Sequence, residues 1–286
     1  LYKKISHKKA VGVIDRTFLG VVSLLKETVS NDEIASRKGF LQGGDPRLKC
    51  LSIALMLLSV VLARNIIEVC GIYVITLLLA LTSAIGFGYF LKRTLLFIPL
   101  FSLFIVIPAI FSVVTPGTPV VSLDGVWRGL SITRQGIDSS MIFFMRVLAS
   151  VSLAILLMLT TRHHVLLKVL RIFKVPQLFV MTMGMTYRYI YLLLDIVQKT
   201  FIAVKSRVGS ISSTKTGRGI VTANMAGLWL KSYRMQNQVY DAMLSRGYTG
   251  EPRVLVEFHA RPMDFIMFAT ALMALIGTLW INRFFL

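Results

Sequence analysis

Twenty residues decide the fold class: Met141-Ile-Phe-Phe-Met-Arg146-Val-Leu-Ala-Ser-Val-Ser-Leu-Ala-Ile-Leu-Leu-Met-Leu-Thr160, with Arg146 as their single charge. A bilayer's hydrocarbon core is about 30 Å thick, so a helix needs about 20 apolar residues to cross it. This stretch meets that requirement. Four more charge-poor stretches flank it: Leu51 to Ala63, Gly71 to Leu91, Thr94 to Val114 with Pro99 and Pro108 inside, and Pro262 to Leu286 with Asp264 and Arg283 near its ends. The first is short and has to recruit Leu48-Lys49 and Asn65-Ile66, with Lys49 snorkelling from its end. The pattern predicts an all-α integral membrane protein with about five transmembrane helices.

Composition agrees. Of 286 residues, 55% are apolar and only 16% charged, against about 25% charged in soluble domains, which excludes an ordinary soluble enzyme. The net charge is nevertheless +19, from 32 Lys and Arg against 13 Asp and Glu. With a cytoplasmic N-terminus and alternating spans, 27 of the 32 basic residues fall inside, at 1–49, 92–93 and 161–262. Arg64, Arg128, Arg134 and Arg283 fall outside, and Arg146 lies within a span. That asymmetry is the positive-inside rule and predicts a multi-pass plasma-membrane protein, N-terminus in and C-terminus out. It also removes nucleic acid as a partner. The cations interleave with apolar residues beside spans, where topology and anionic lipid account for them, and no RRM, KH or zinc pattern is present.

The expected organisation is an interfacial N-terminal segment at 1–47, a four-helix membrane region at 48–160, a cytoplasmic region at 161–260 and a last span at 261–286. Within the first, Ile14, Phe18, Val21, Leu25 and Val29 fall at helical spacing among lysines, as in a helix lying on the inner membrane surface. Lys26-Glu27 stands where a signal peptide would carry its small cleavage residues. The turn-rich segment Thr115 to Ser140 reads as an external loop. Cys50 and Cys70, placed at opposite ends of the first span, lie about 30 Å apart on a helix and out of disulfide reach. Adjacent His163-His164 do not face each other on a helix. Gly209 to Thr216 lacks the second Gly of a phosphate loop. No cofactor, metal or catalytic set emerges. Arg146 is a functional candidate by its depth, with snorkelling to the nearby outer end or a structural pairing to backbone carbonyls the favoured role.

The cytoplasmic region carries the specific signal. Tyr187 to Val208 and Thr222 to Arg246 read as two long helices joined by a linker over Gly209 to Gly219, with Leu178 to Val197 also apolar. On the second helix, Ala226, Leu230, Tyr233, Tyr240 and Leu244 line one face. Met181, Met183 and Met185 suit either an adaptable partner surface or core packing. Both helices end alike: Ala203-Val-Lys-Ser206-Arg207 and, 39 residues later, Ala242-Met-Leu-Ser245-Arg246 followed by Gly247. A small residue one turn before an arginine leaves the guanidinium stem unshielded. A cation suits a helix C-terminus, and Gly just beyond is a helix stop. Capping alone explains one occurrence; a matched pair points to two equivalent docking tips.

Taken with these tips, the chain resembles the transmembrane T component of energy-coupling factor (ECF) transporters, in its CbiQ-like branch. The resemblance is carried over residues 39–286 by Gly39-Phe-Leu-Gln42, Asp45-Pro46-Arg47-Leu-Lys49, Thr160-Thr161, Val175-Pro176, Tyr187-Arg188-Tyr189 and Ser245-Arg246-Gly247. Ser206-Arg207-Val208 departs further, lacking the final Gly. The resemblance implies a non-catalytic subunit whose two long cytoplasmic coupling helices cross as an X. It implies two ATP-binding cassette ATPase subunits as partners, with Arg207 and Arg246 each docked in one of them. It also implies a membrane S component that captures a vitamin, cobalt or nickel. Ala203, Ser206, Ala242, Ser245 and Gly247 would shape the tips, and Asp45, Pro46, Arg47, Lys49 and Arg188 would be structural. A conventional ABC permease subunit, or another integral-membrane channel or enzyme, is the alternative.

Overall fold

The computed structural model describes residues 34–37, 39–83, 85–96, 98–111, 115, 118–122, 131–208, 214–249 and 260–284. The expected N-terminal surface helix lies outside them. The helices are α1 (Pro46–Leu62), α2 (Ile66–Thr82), α3 (Phe87–Leu96), α4 (Ile98–Ala109), α5 (Arg134–Thr160), α6 (His163–Ile172), α7 (Gln177–Val208), α8 (Thr214–Ser245) and α9 (Pro262–Phe284). A short antiparallel ribbon, β1 (Pro119–Ser122) with β2 (Ser131–Thr133), precedes α5, pairing Pro119 with Thr133 and Ser122 with Ser131. Among the described residues the secondary structure is otherwise all α-helical. It divides into two compact units, one of residues 31–169 and 257–286, the other of 170–256 with 1–30.

In the first unit α5 is the hub, packed against α1, α2, α3 and α4, while α9 packs on α1. Its buried residues, Leu148, Ala149, Ser152, Leu153, Leu156, Leu159 and Thr160, recur every three or four positions and so form one stripe. That stripe meets Ile53, Met56 and Val60 of α1, Val69 and Ile72 of α2 and Ala271 of α9 in one cluster. Ala80, Phe90 and Met267 join Leu156 and Leu159 in a second. Five small polar residues buried among them have their hydroxyls satisfied. The hydroxyls of Ser52, Ser59, Thr76, Ser152 and Thr160 donate to carbonyls four residues back, at 2.7–3.0 Å, the usual device for hydroxyls inside a membrane helix.

Outward, the same unit is apolar. Ile67 is 81% exposed, Phe101 and Phe104 69%, and Met273 73%, a surface that calls for lipid rather than water. Among the described residues two helices, α5 and α9, are long and apolar enough to cross a membrane. The pair α3–α4, bent by 44°, makes a third if taken as one broken span. Pro99, which lacks an N–H and crowds the carbonyl four residues back, accounts for the break.

Several boundaries differ from expectation. Gly71 to Leu91 is not one helix: α2 stops at Thr82, Ser83 caps it in extended backbone, and its hydroxyl bonds Leu79 O at 2.9 Å. Lys92 and Arg93 therefore lie inside α3 rather than in a loop, and the stretch expected as one span from Thr94 is shared by α3 and α4, the latter ending at Ala109. Cys50 sits on α1 and Cys70 on α2, both half-buried and free, because Asn65-Ile66 opens the second helix instead of closing the first. Arg134 to Ser140 forms the first two turns of α5, so the loop ends at Thr133. In the second unit, α7 starts at Gln177, ten residues early. α8 starts at Thr214, so the part of the expected linker from Thr214 to Gly219 is helical. Helix α7 is long, but Arg188 and Asp195 dilute its apolar run, and it does not reach the hydropathy of a span.

Candidate functional site: two matched helix tips

The α7–α8 pair is antiparallel. The two 32-residue helices are joined by the short connection at 209–213, and the end of α8 returns to the start of α7. There the Tyr248 hydroxyl donates to the Met181 thioether, 2.9 Å away. Both Ala-x-x-Ser-Arg copies are at helix C-termini, so they lie at opposite ends of the pair. From Met181 to Arg207 is 26 residues of helix, about 40 Å at 1.5 Å per residue. Met181 thus makes an internal contact, whereas Met183 is exposed.

The copies share more than spelling. Ser206 Oγ donates to Ala203 O at 3.0 Å, and Ser245 Oγ to Ala242 O at 3.1 Å. In each, the serine turns back onto the last turn and leaves the arginine as the outward polar group. Ala203, Ser206, Arg207, Ala242, Ser245, Arg246 and Gly247 are all exposed. The endings differ where the sequences differ. After α8, Gly247 N–H bonds Leu244 O at 2.9 Å and Tyr248 N–H bonds Met243 O at 3.0 Å, the two bonds of a Schellman stop. Gly247 takes φ +80 there, a backbone that L side chains resist. The same stop closes α6, with Lys174 at φ 62 in the glycine position and Val175 N–H reaching Leu170 O at 3.3 Å. Pro176 then opens α7.

Along α8 a half-buried stripe runs through Asn224, Leu228, Ser232, Met235, Val239 and Met243. It is not the face read from the sequence. Leu230, Tyr233, Tyr240 and Leu244 of that face remain exposed, beside Trp229 at 79% and Met225 at 67%. Arg188 is exposed on α7, 19 residues before Arg207, and is not brought to either tip. Its neighbours Tyr187 and Tyr191 pair edge-to-face, with hydroxyls 2.8 Å apart.

The entry motif occupies a separate place, in the first unit. Asp45 is the N-cap of α1: its Oδ1 accepts from Arg47 N–H at 2.9 Å, and Pro46 fills the first helical position. Arg47 is exposed. Lys49 does not snorkel. It is 2% exposed, and its ammonium reaches inward to Thr160 O and Thr161 Oγ1, each 3.3 Å away. A cation at the C-terminus of α5 is favoured by the carbonyls gathered there. Asp264 completes the cluster, its Oδ2 accepting from both Asp45 N–H and Arg261 N–H at 2.9 Å. This ties the first turns of α1 and α9 together. Sequence reading singled out Asp45, Lys49, Thr160 and Thr161 but missed Arg261 and Asp264, although Asp three residues past the helix-capping position is an N-terminus signal. Arg146 plays the structural part: its Nη2 donates to Ala63 O at 2.7 Å, while Asn282 Nδ2 donates to Leu62 O at 2.8 Å. Together they satisfy carbonyls at the end of α1 that the helix itself leaves unpaired.

The chain is 32% identical over 271 residues to an uncharacterized protein of Methanocaldococcus jannaschii, covering 92% of this chain and 91% of the relative. It is 28% identical to the energy-coupling factor transporter transmembrane protein EcfT of Streptococcus thermophilus, over 74% of this chain and 81% of that one. It is 27% identical to the EcfT of Listeria innocua, over 72% and 79%. Residues 38–256 match the family model of the cobalt transport protein CbiQ. That match takes in both helix tips and the Asp45–Lys49 motif, and the chain belongs to the CbiQ family of membrane transport proteins.

Proposed function

We propose that this chain is the non-catalytic transmembrane coupling subunit of an ECF-type importer, taking up cobalt, nickel or a vitamin. The observation that carries the reading is the matched pair of tips. Two exposed arginines stand on helix ends that share the serine-to-alanine-carbonyl bond, about 40 Å apart, as a subunit must present them to hold two ATPases at once. Each guanidinium would make charge-assisted, forked hydrogen bonds to carboxylates in an ATPase groove, with Ala203 and Ala242 providing clearance. The outward stripe of Met225, Trp229, Tyr233, Tyr240 and Leu244 would bear on the S component and move it as the ATPases close. ATP hydrolysis belongs to the partners. In this reading α1, α2, the bent α3–α4 pair, α5 and α9 are the five spans, α7 and α8 are cytoplasmic, and the N-terminus faces the cytoplasm. At 17 residues each, α1 and α2 reach about 26 Å, a few ångström short of the hydrocarbon core, a mismatch that local thinning of the bilayer and polar flanking residues accommodate.

The test is purification with co-expressed chromosomal neighbours and identification by mass. Two ATPase copies and one small hydrophobic protein per chain are expected. A single ATPase contact per chain, with a second copy of this chain, would favour a conventional ABC permease subunit. Arg246→Glu is expected to abolish ATPase co-purification and transport; if both are unchanged, the assignment of the tips is wrong.

A further inference from the structure

Beside the Lys49 cluster lies a cavity of about 670 Å³, walled by residues 35–37, Gly39 and residues 42–44, the start of α1, the end of α5, the start of α6 and Arg261. Its size is that of a small-molecule site, and its charge is one-sided. Arg37, Lys49, Arg162 and Arg261 line it, and among the described residues no carboxylate does. Asp45 and Asp264, the acids of the adjoining Lys49 cluster, are taken up by backbone N–H groups at the starts of α1 and α9. The wall is built to admit a guanidinium: a Cβ on Gly43 would stand 2.8 Å from Arg261 Nη1. Gln42 also lines the cavity, and both its amide nitrogen and oxygen are buried with no hydrogen-bond partner among the described residues. An unmet buried amide beside four cations is an unexplained cost in a sealed structure and the wall of a site in an open one.

We propose that this cavity binds a phosphate group. Guanidinium forks match phosphate oxygens in pairs, Lys49 supplies a point charge, and the Gln42 amide supplies a further donor. Because α5 and α9 are both membrane-length, the cavity at their shared end lies at headgroup depth. Basic pockets between helices at that depth take anionic lipid headgroups. The same chemistry serves free phosphate.

The experiment is native mass spectrometry of the full chain purified with its co-expressed partners. It is titrated with phosphatidylglycerol, with phosphatidylcholine of the same acyl chains, and with inorganic phosphate. Phosphatidylglycerol is expected to bind tighter than phosphatidylcholine. The variant Arg162→Gln/Arg261→Gln is expected to weaken it about 30-fold, from about fivefold per basic residue near a headgroup. Arg162→Lys/Arg261→Lys should retain most of the preference, and Arg283→Gln all of it. Arg37→Gln alone, about fivefold weaker, serves if the double variant does not fold. Retention of inorganic phosphate without a preference for phosphatidylglycerol, lost in the same variants, would assign the site to free phosphate. Equal binding of both lipids with no phosphate retained, or a preference that survives the glutamine variants, would overturn the proposal.

Discussion

Lys49→Met removes one buried ammonium and little volume, so its effect reads electrostatics rather than packing. The side chain is 2% exposed and donates to Thr160 O and Thr161 Oγ1 at 3.3 Å. Hydrogen bonds from a charged group contribute about 1.5–3 kcal/mol each, and these are long, so about 1.5 each is appropriate. Asp45 and Asp264, both 6% exposed, also act on the lysine charge and would lose it. Against this, methionine spares the cost of burying an ammonium. Setting the spared burial cost against the lost carboxylate attraction leaves the two hydrogen bonds, a loss of about 3 kcal/mol, or roughly 6–12 °C in apparent melting temperature for a domain of this size. The assay is thermal unfolding in one detergent, followed by elution of the monodisperse peak. Lys49→Met/Asp264→Asn should recover part of the loss, since the two charges are coupled. If Lys49→Met melts within about 2 °C of the unmodified protein, a margin below the expected shift, the buried cation does not hold α1 to α5.

Other consequences are local. Gly247→Ala is expected to destabilise the end of α8 by about 1–2 kcal/mol, from its φ of +80, while Lys174→Gly should stabilise the end of α6 by about 1 kcal/mol. Hydrogen exchange at each helix end reads both. Gly136→Ala would push a methyl to within 2.6 Å of Thr133 Oγ1 and 2.8 Å of Ile110 O, costing about 1–3 kcal/mol and fraying the first turn of α5, measurable by exchange of the amides there. Arg146→Met removes the donor to Ala63 O and should lower the melting temperature by a few degrees, about 1–2 kcal/mol. Unchanged transport at permissive temperature would confirm the role as structural.

What the sequence disclosed is what local chemistry dictates. The spans α5 and α9 follow from uninterrupted apolar runs, and both tips follow from residues within five positions of a helix end. The break after Thr82 was missed because nothing between Gly71 and Leu91 is charged or Pro, and a single serine cap carries little signal. Lys49 was misread for a different reason. A lysine near a span's end ordinarily reaches for water, but its acceptors lie 111 and 112 residues away. Asp264, which joins α9 to α1, is 219 residues from Asp45. On α8 the apolar face legible at helical spacing is left outward within the chain, with Tyr233 and Tyr240 exposed beside Trp229, while the half-buried stripe through Leu228, Met235 and Met243 gave no comparable signal. Apolarity shows that a face wants cover, not which neighbour supplies it.

The central claim, that the two tips of one chain engage two ATPases, is tested most directly by a photo-crosslinking residue placed at Ser206, at Ser245 and at both. Each single replacement is expected to trap one ATP-binding subunit. The double replacement should give a species holding two ATPases on one chain. Crosslinks to lipid, to neither ATPase, or from one position alone would contradict the account.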